Sequence, residues 1–208
     1  PGAKRVLIIG GGDGGALRRV LEHQQSEPVQ VELDSAVIEA CRQHMPAVSA
    51  GAYDNPRARV VIGDGIEYMR NNPGGFDLVI IDSTDPVGPA LGLFQESFYR
   101  DVASALAPNG LLVAQSSSPL LMAKELQAQL ANLRAVFPIV RTYLGMATGY
   151  PGGVWSYTIG SKQYDPCLVS AESIEKRLAA ERISSRYYSP EVHQAAFVLP
   201  RFIADIVS

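Results

Sequence analysis

The chain has 208 residues, 47% of them hydrophobic, and 18 Lys and Arg stand against 21 Asp and Glu for a net charge of −3. This balance argues against a broad nucleic-acid-binding face and favours small cationic ligands. Cys41 and Cys167 are the only cysteines and lie far apart in the sequence, which indicates no disulfide framework and predicts a cytoplasmic location. The longest apolar runs have the length of strands, so we predict no membrane-spanning helix or signal peptide.

Short apolar runs alternate with helical patterns over the first two-thirds of the chain. This alternation predicts an α/β fold with a mostly parallel sheet. The predicted strands are 6–9, 29–33, 59–62, 76–81, 110–115, 139–144 and 154–159. The predicted helices are 16–21, 35–44, 65–70, 96–106 and 121–136. The tail from Ser170 predicts a charged helix, a turn rich in Tyr and Pro, and one apolar final helix. Without a linker to separate this tail, we expect a single domain over residues 1–208.

Acidic side chains follow the predicted strands at the point where each strand ends. Because ligands of open α/β sheets bind at the carboxyl ends of the strands, these acids should line one edge, with no Lys, Arg or His among them. The set comprises Asp13, Glu32, Asp34, Asp64, Asp82 and Asp85, and Gln115 ends the fifth strand. The pattern predicts a site for a positively charged small molecule.

The glycine loop, residues 10–15, matches the Gly-x-Gly-x-x-Gly pattern of dinucleotide-binding enzymes through Gly10, Gly12 and Gly15. A tight strand-to-helix turn without a ligand is the alternative. Asp13 lies inside the loop and would repel a pyrophosphate, whereas Glu32 is placed to bind ribose hydroxyls. Asp64 is placed to accept from an adenine amino group. Together these acids favour a nucleoside that carries a sulfonium over a nicotinamide dinucleotide.

Asp82 and Asp85 follow the fourth strand in a loop that contains Pro86 and Pro89. Such residues often cap helices or form Asx-turns. The functional alternative is that one carboxylate takes a proton while the other anchors a cation, with neighbouring charges and burial raising the pKa of the base.

Other polar residues are less specific. Tyr150 is a candidate either for the edge of the core or for the wall of an acceptor pocket, and the run Ser116–Ser118 is most simply a polar loop. The histidines His23, His44 and His193 have no metal-ligand spacing, so no metal site is predicted.

Several motifs together resemble the spermidine synthase family of aminopropyltransferases. The most specific is Asp-Ser-Thr-Asp-Pro-Val-Gly-Pro over 82–89. The resemblance also includes residues 8–15, 31–34, 63–65, 150–151 and 188–197, and so covers essentially the whole chain.

This resemblance implies a Rossmann-like class I methyltransferase fold, with a seven-stranded sheet whose last strand is antiparallel. It implies transfer of an aminopropyl group from decarboxylated S-adenosylmethionine to putrescine, giving spermidine and methylthioadenosine, with Asp82 as the general base and no cofactor. The implied donor-binding residues are Gly10, Gly12, Glu32, Asp64, Gly65 and Pro89. The implied polyamine-binding residues are Asp13, Asp82, Ser83, Thr84, Asp85, Gln115 and Tyr150. A homo-oligomer, dimer or tetramer, is also implied.

The chain departs from the family pattern in three places. The β-rich segment that precedes the first strand in the family is not in residues 1–208, so a separate N-terminal fragment is a candidate partner, and we expect weak or no activity without it. Ser117 and Gly149 stand where related sequences often have glutamate and threonine. Two alternatives stay open: an S-adenosylmethionine-dependent methyltransferase, and a non-catalytic protein that binds polyamines or nucleosides.

Overall fold

A computed structural model describes residues 2–208. Seven strands form one sheet in the order β3-β2-β1-β4-β5-β7-β6. Their bounds are β1 Arg5–Gly10, β2 Glu27–Glu32, β3 Arg59–Ile62, β4 Phe76–Asp82, β5 Leu106–Gln115, β6 Ile139–Met146 and β7 Val154–Ser161. Strand β7 pairs antiparallel with β5 and β6, and the other pairs are parallel. The predicted seven-stranded, mostly parallel sheet is therefore confirmed.

Helices flank the sheet on both faces. Their bounds are α1 Gly15–Leu21, α2 Ser35–His44, α3 Pro46–Ser49, α4 Gly65–Asn71, α5 Glu96–Ala105, α6 Ala123–Arg134, α7 Ala171–Glu181, α8 Pro190–Ala196 and α9 Arg201–Val207. Short 3-10 segments cover Ala52–Asp54, Gly88–Phe94 and Pro166–Leu168. None of the helices in residues 2–208 combines the length and apolar character needed to cross a membrane.

One predicted boundary and the predicted number of helices in the tail are wrong. Strand β5 begins at Leu106, within the predicted helix, because Leu106 pairs with Phe76 before the register shifts and regular pairing resumes at Leu111. The tail contains two final helices rather than one. Helix α8 ends at Ala196, and Pro200 precedes the first residue of α9; a proline lacks the N–H needed to continue a helix.

The two faces of the sheet differ in how completely they are covered. On one face, Leu7, Val79 and Leu112 are fully buried in a core cluster to which α5 and α6 contribute. On the other face, α1 covers β1, whereas Leu78 and Ile80 of β4 are only partly buried. These two side chains line an apolar cavity of about 640 Å³ between α1 and α7.

Candidate active site

The carboxyl ends of β1 and β4 lie side by side. Gly10 is in register with Asp82, and the Gly11 N–H donates to the Asp82 carbonyl at 2.8 Å. Gly10 has φ +83°, and a Cβ there would overlap that same carbonyl. The turn therefore requires glycine, for steric as well as conformational reasons.

Two side chains that were not predicted from the sequence donate hydrogen bonds to backbone carbonyls of the glycine loop. Gln30, fully buried in β2, donates through Nε2 to the carbonyls of Gly10 and Gly11 at 2.9 and 2.6 Å. The Tyr53 hydroxyl donates to the Gly12 carbonyl at 2.8 Å. A glutamine between two valines in a buried strand was a visible signal, because buried polar groups need partners.

Three of the predicted acids meet around the glycine loop. A Cβ on Gly12 would lie 2.9 Å from Oε2 of Glu32, and a Cβ on Gly11 would lie 3.1 Å from Oδ2 of Asp82. Asp13 accepts the Gly15 N–H at 2.8 Å through Oδ1. Because Gly11 and Gly12 have no Cβ, the Glu32 and Asp82 carboxylates can approach the loop closely.

The Asp82 carboxylate lies in an open cleft, where water reaches it although protein surrounds much of it. Its pKa is raised above the ordinary aspartate value, first by desolvation and then by the negative charges of Asp13 and Glu32. A raised pKa makes a carboxylate a better proton acceptor, because basicity increases with pKa. The raised pKa of Asp82 agrees with the role of base, which stays a prediction.

Asp64, Gly65 and Pro89 lie along the same edge, next to β3 and β4. Asp64 is exposed and caps α4, accepting the Ile66 N–H at 2.7 Å. Pro89 is exposed in the 3-10 segment, in which a Cβ on Gly92 would overlap the Ile66 side chain. That segment therefore packs against the start of α4, where Asp64 and Gly65 lie. The donor-binding roles of these residues stay predictions.

Beside Asp82 the structure has a cavity of about 300 Å³, here called the strand-end cavity. Six of its lining residues were predicted from the sequence: Asp82, Ser83, Thr84, Asp85, Gln115 and Tyr150. Ala147, Trp155 and Tyr157 were missed. Burial and then the charge of Asp82 raise the pKa of Tyr157. The strand-end cavity thus lies between the loop that follows β4 and residues of β5 and β7.

Gln115 forms a fixed part of the cavity wall. Its Nε2 donates to the Thr84 carbonyl at 3.1 Å, and its Oε1 accepts from Trp155 Nε1 at 3.0 Å and from the Ser117 N–H at 3.0 Å. The Tyr150 ring packs against Trp155 with centroids 4.3 Å apart. These contacts hold aromatic rings beside the carboxylates, an arrangement suited to an alkylammonium chain.

Ser116–Ser118 form a loop, as predicted, but its side chains do not face solvent. All three serines are buried, and the Ser117 hydroxyl donates to Oδ1 of Asp85 at 2.8 Å. The local sequence conceals this contact because the two residues are 32 positions apart and meet only when β4 pairs with β5.

The histidines have separate structural settings. His193 lies between the Tyr188 hydroxyl and the Pro166 carbonyl, each 3.0 Å away, His23 lies 3.6 Å from Glu181, and His44 is exposed at the end of α2. Across residues 2–208, no three or more His, Cys, Asp or Glu residues are grouped so that they could hold a metal ion.

Known proteins are similar to this chain over its full length. The model of the spermine/spermidine synthase domain matches residues 1–170. A polyamine aminopropyltransferase from Desulforudis audaxviator is 47% identical over 206 residues, which cover 99% of this chain and 72% of that protein. One from Caldicellulosiruptor bescii is 45% identical over 208 residues, covering 100% of this chain and 72% of the relative.

Solved structures agree with this similarity. A spermidine synthase in complex with the transition state analogue AdoDATO superimposes with a TM-score of 0.93 at 42% identity, covering 100% of this chain and 70% of that one. The spermidine synthase from Thermotoga maritima gives 0.91 at 42% identity, covering 100% and 69%.

Proposed function

This chain belongs to the spermine/spermidine synthase family, and from that premise we propose its reaction and the roles of its residues. The reaction is transfer of the aminopropyl group of decarboxylated S-adenosylmethionine to putrescine, which gives spermidine and methylthioadenosine. In this proposal the nucleoside binds along the glycine loop through Gly10, Gly12, Glu32, Asp64, Gly65 and Pro89, and the amine occupies the strand-end cavity.

One observation carries the proposal. Asp82 lies against the glycine loop on one side and lines the strand-end cavity on the other. A donor on the loop and an amine in the cavity would therefore meet at this carboxylate. Holding two reactants in line supplies a large part of the acceleration of a bimolecular reaction.

The chemistry needs a proton acceptor at that point. An alkylamine is protonated at neutral pH, since its pKa resembles that of lysine, roughly 10.4. Asp82 takes a proton, and the free nitrogen lone pair attacks the carbon next to sulfur. The new C–N bond forms as the C–S bond breaks, and the bonding electrons leave on sulfur as a neutral thioether. The leaving group is already activated by its positive charge, so the proposal includes no metal or prosthetic group.

Asp13 has a proposed role in the choice of donor. Its half-buried carboxylate lies in the glycine loop, with one oxygen bound to the Gly15 N–H. The other oxygen would attract the ammonium of the aminopropyl group. The same charge would repel the carboxylate of intact S-adenosylmethionine, so discrimination comes from both attraction and repulsion.

The proposal extends to the setting of the enzyme. It would act in the cytoplasm on two small molecules, as a homo-oligomer, with a separate N-terminal fragment as a candidate partner. Light scattering of the purified chain, alone and with such a fragment, would measure both associations.

The decisive experiment is a mass-spectrometric product assay of this chain with decarboxylated S-adenosylmethionine and a panel of amines. We expect equal amounts of spermidine and methylthioadenosine from putrescine, in low yield unless the N-terminal fragment is supplied. A methylated product, together with tighter binding of S-adenosylmethionine than of the decarboxylated donor, would instead identify a methyltransferase. Nucleoside binding without product from any amine, with the N-terminal fragment present, would identify a non-catalytic binding protein.

A further inference from the structure

Ser117 has a backbone conformation that its position does not explain. Within residues 2–208, three non-glycine residues have positive φ: Ala50, Ser117 and Arg182. Ala50 and Arg182 terminate helices α3 and α7, where left-handed residues are common. Ser117 follows a strand instead, with φ +63°. A side chain makes this conformation costly, and such strain persists only where surrounding contacts impose it.

Contacts from two strands impose this conformation on Ser117. Its N–H donates to the side chain of Gln115 at 3.0 Å. Its carbonyl accepts both from the Ser156 N–H at 3.1 Å and from the Ser156 hydroxyl at 2.8 Å. Ser156 belongs to β7 and is fully buried. These hydrogen bonds therefore fix the backbone of Ser117 independently of its hydroxyl.

The fixed hydroxyl points to one carboxylate of the strand-end cavity. Ser117 Oγ donates to Oδ1 of Asp85 at 2.8 Å, and no other hydrogen bond from residues 2–208 reaches that carboxylate in the structure. Because a carboxylate accepts at both oxygens, the bond to Oδ1 sets the orientation of the group and leaves Oδ2 available to a ligand.

We infer that Ser117 is a positioning residue. It orients Asp85 toward the second ammonium group of the amine acceptor, the one that lies farther from the reacting nitrogen. This inference rests on the proposed function. It assigns the preference for diamines over monoamines to the Ser117–Asp85 pair, separately from proton transfer at Asp82. Loss of the hydroxyl should weaken binding of an amine that carries a second charge and leave a monoamine unaffected.

The test compares putrescine with 1-aminobutane, which has the same carbon chain and lacks the second ammonium. Ser117→Gly removes the hydroxyl and relieves the strained conformation, whereas Ser117→Ala removes the hydroxyl and keeps the strain. We expect both variants to raise the KM for putrescine about tenfold or more, as for loss of a hydrogen bond to a charged group. The kcat, the KM for the donor and kcat/KM for 1-aminobutane should stay within about twofold.

Ser118→Ala is the matched control, because the neighbouring Ser118 hydroxyl is buried without a hydrogen-bond partner; this variant should match the wild type with both amines. Calorimetric titration of each amine provides a readout that does not need turnover. Equal affinities of wild type and Ser117→Gly for putrescine, or equal losses for both amines, would overturn the inference. Absence of product from the wild type would count against the proposed function alone.

Discussion

Side chains on the glycine-loop side of the site and in the strand-end cavity are oriented by contacts of very different sequence separation. Around the loop, Asp13 and Asp64 each accept the backbone N–H of the residue two positions later. In the cavity, Ser117 bonds to Asp85 over 32 positions and Trp155 bonds to Gln115 over 40. The loop-side carboxylates are oriented by local turns, although Gln30 and Tyr53 hold the loop backbone from 20 and 41 positions away. The cavity side chains are oriented by pairing of β4, β5 and β7.

This difference bears on how each substrate is recognised. A carboxylate oriented by its own turn keeps its geometry as long as the strand-to-helix junction forms. A carboxylate oriented across three strands depends on the register of all of them. We therefore expect the orientation of Asp13 and Asp64 to resist substitutions far away in the sequence, whereas the orientation of Asp85 should respond to them.

The largest expected effect is at Asp82, where the two sides meet. Asp82→Asn should lower kcat by about 10²- to 10⁴-fold, the usual contribution of a general base, and leave methylthioadenosine binding nearly unchanged. Steady-state kinetics and calorimetry measure the two quantities. The matched control is Asp77→Asn at the opposite end of β4, where Asp77 binds the Lys4 and Arg5 N–H groups. Similar activity losses in both variants would contradict a specific role for Asp82.

The same substitution should stabilise the fold. The pKa of Asp82 is higher in the folded state than usual, so its ionised form destabilises that state, and stability is lost as pH rises from the ordinary aspartate pKa through the folded one. At neutral pH, Asp82→Asn should therefore raise Tm. This gain should shrink in acid, where the wild-type carboxylate is protonated; a lower Tm for the variant at neutral pH would contradict the expected repulsion.

A smaller effect is expected at Asp13, which tests the glycine-loop side alone. Asp13→Asn removes one of the charges that raise the pKa of Asp82. The acidic limb of the kcat/KM profile should therefore move to lower pH, because Asp82 loses its proton more readily. The KM for the decarboxylated donor should rise about tenfold, as for loss of a charged hydrogen bond, with a smaller change for putrescine. An unmoved acidic limb would count against Asp82 as the titrating base.

The smallest expected effects compare two buried glutamines. Gln30 donates to the Gly10 and Gly11 carbonyls, and Gln129 donates to the Gln115 carbonyl at 3.2 Å. Replacing either by Met leaves carbonyls without a donor at a cost of about 1–3 kcal/mol, or a Tm lower by roughly 2–12 °C for a chain of this size. Gln30→Met should raise the KM for the donor severalfold, and Gln129→Met the KM for the amine. The reverse pattern would contradict the comparison.

Much of the architecture could be predicted because periodicity reports it directly. The apolar run before Gly10 and the run before Asp82 each identify a buried strand followed by a polar end, and parallel strands place those ends on one edge. The residues at which helices and strands begin and end were harder to predict. Leu106 follows a helical pattern and precedes a turn-like Ala-Pro-Asn-Gly, so only its pairing with Phe76 places it in β5.

The sequence by itself determined the sheet and the acids along its edge, since each acid ends its strand or follows it within three residues. Tertiary structure decided what those acids contact. It placed Gln30 and Tyr53 beneath the glycine loop and raised the pKa of Asp82 through burial and the nearby Asp13 and Glu32. It also brought Ser117 to Asp85. These properties depend on distances between residues remote in sequence, and such distances are set only when the strands pair and the helices pack.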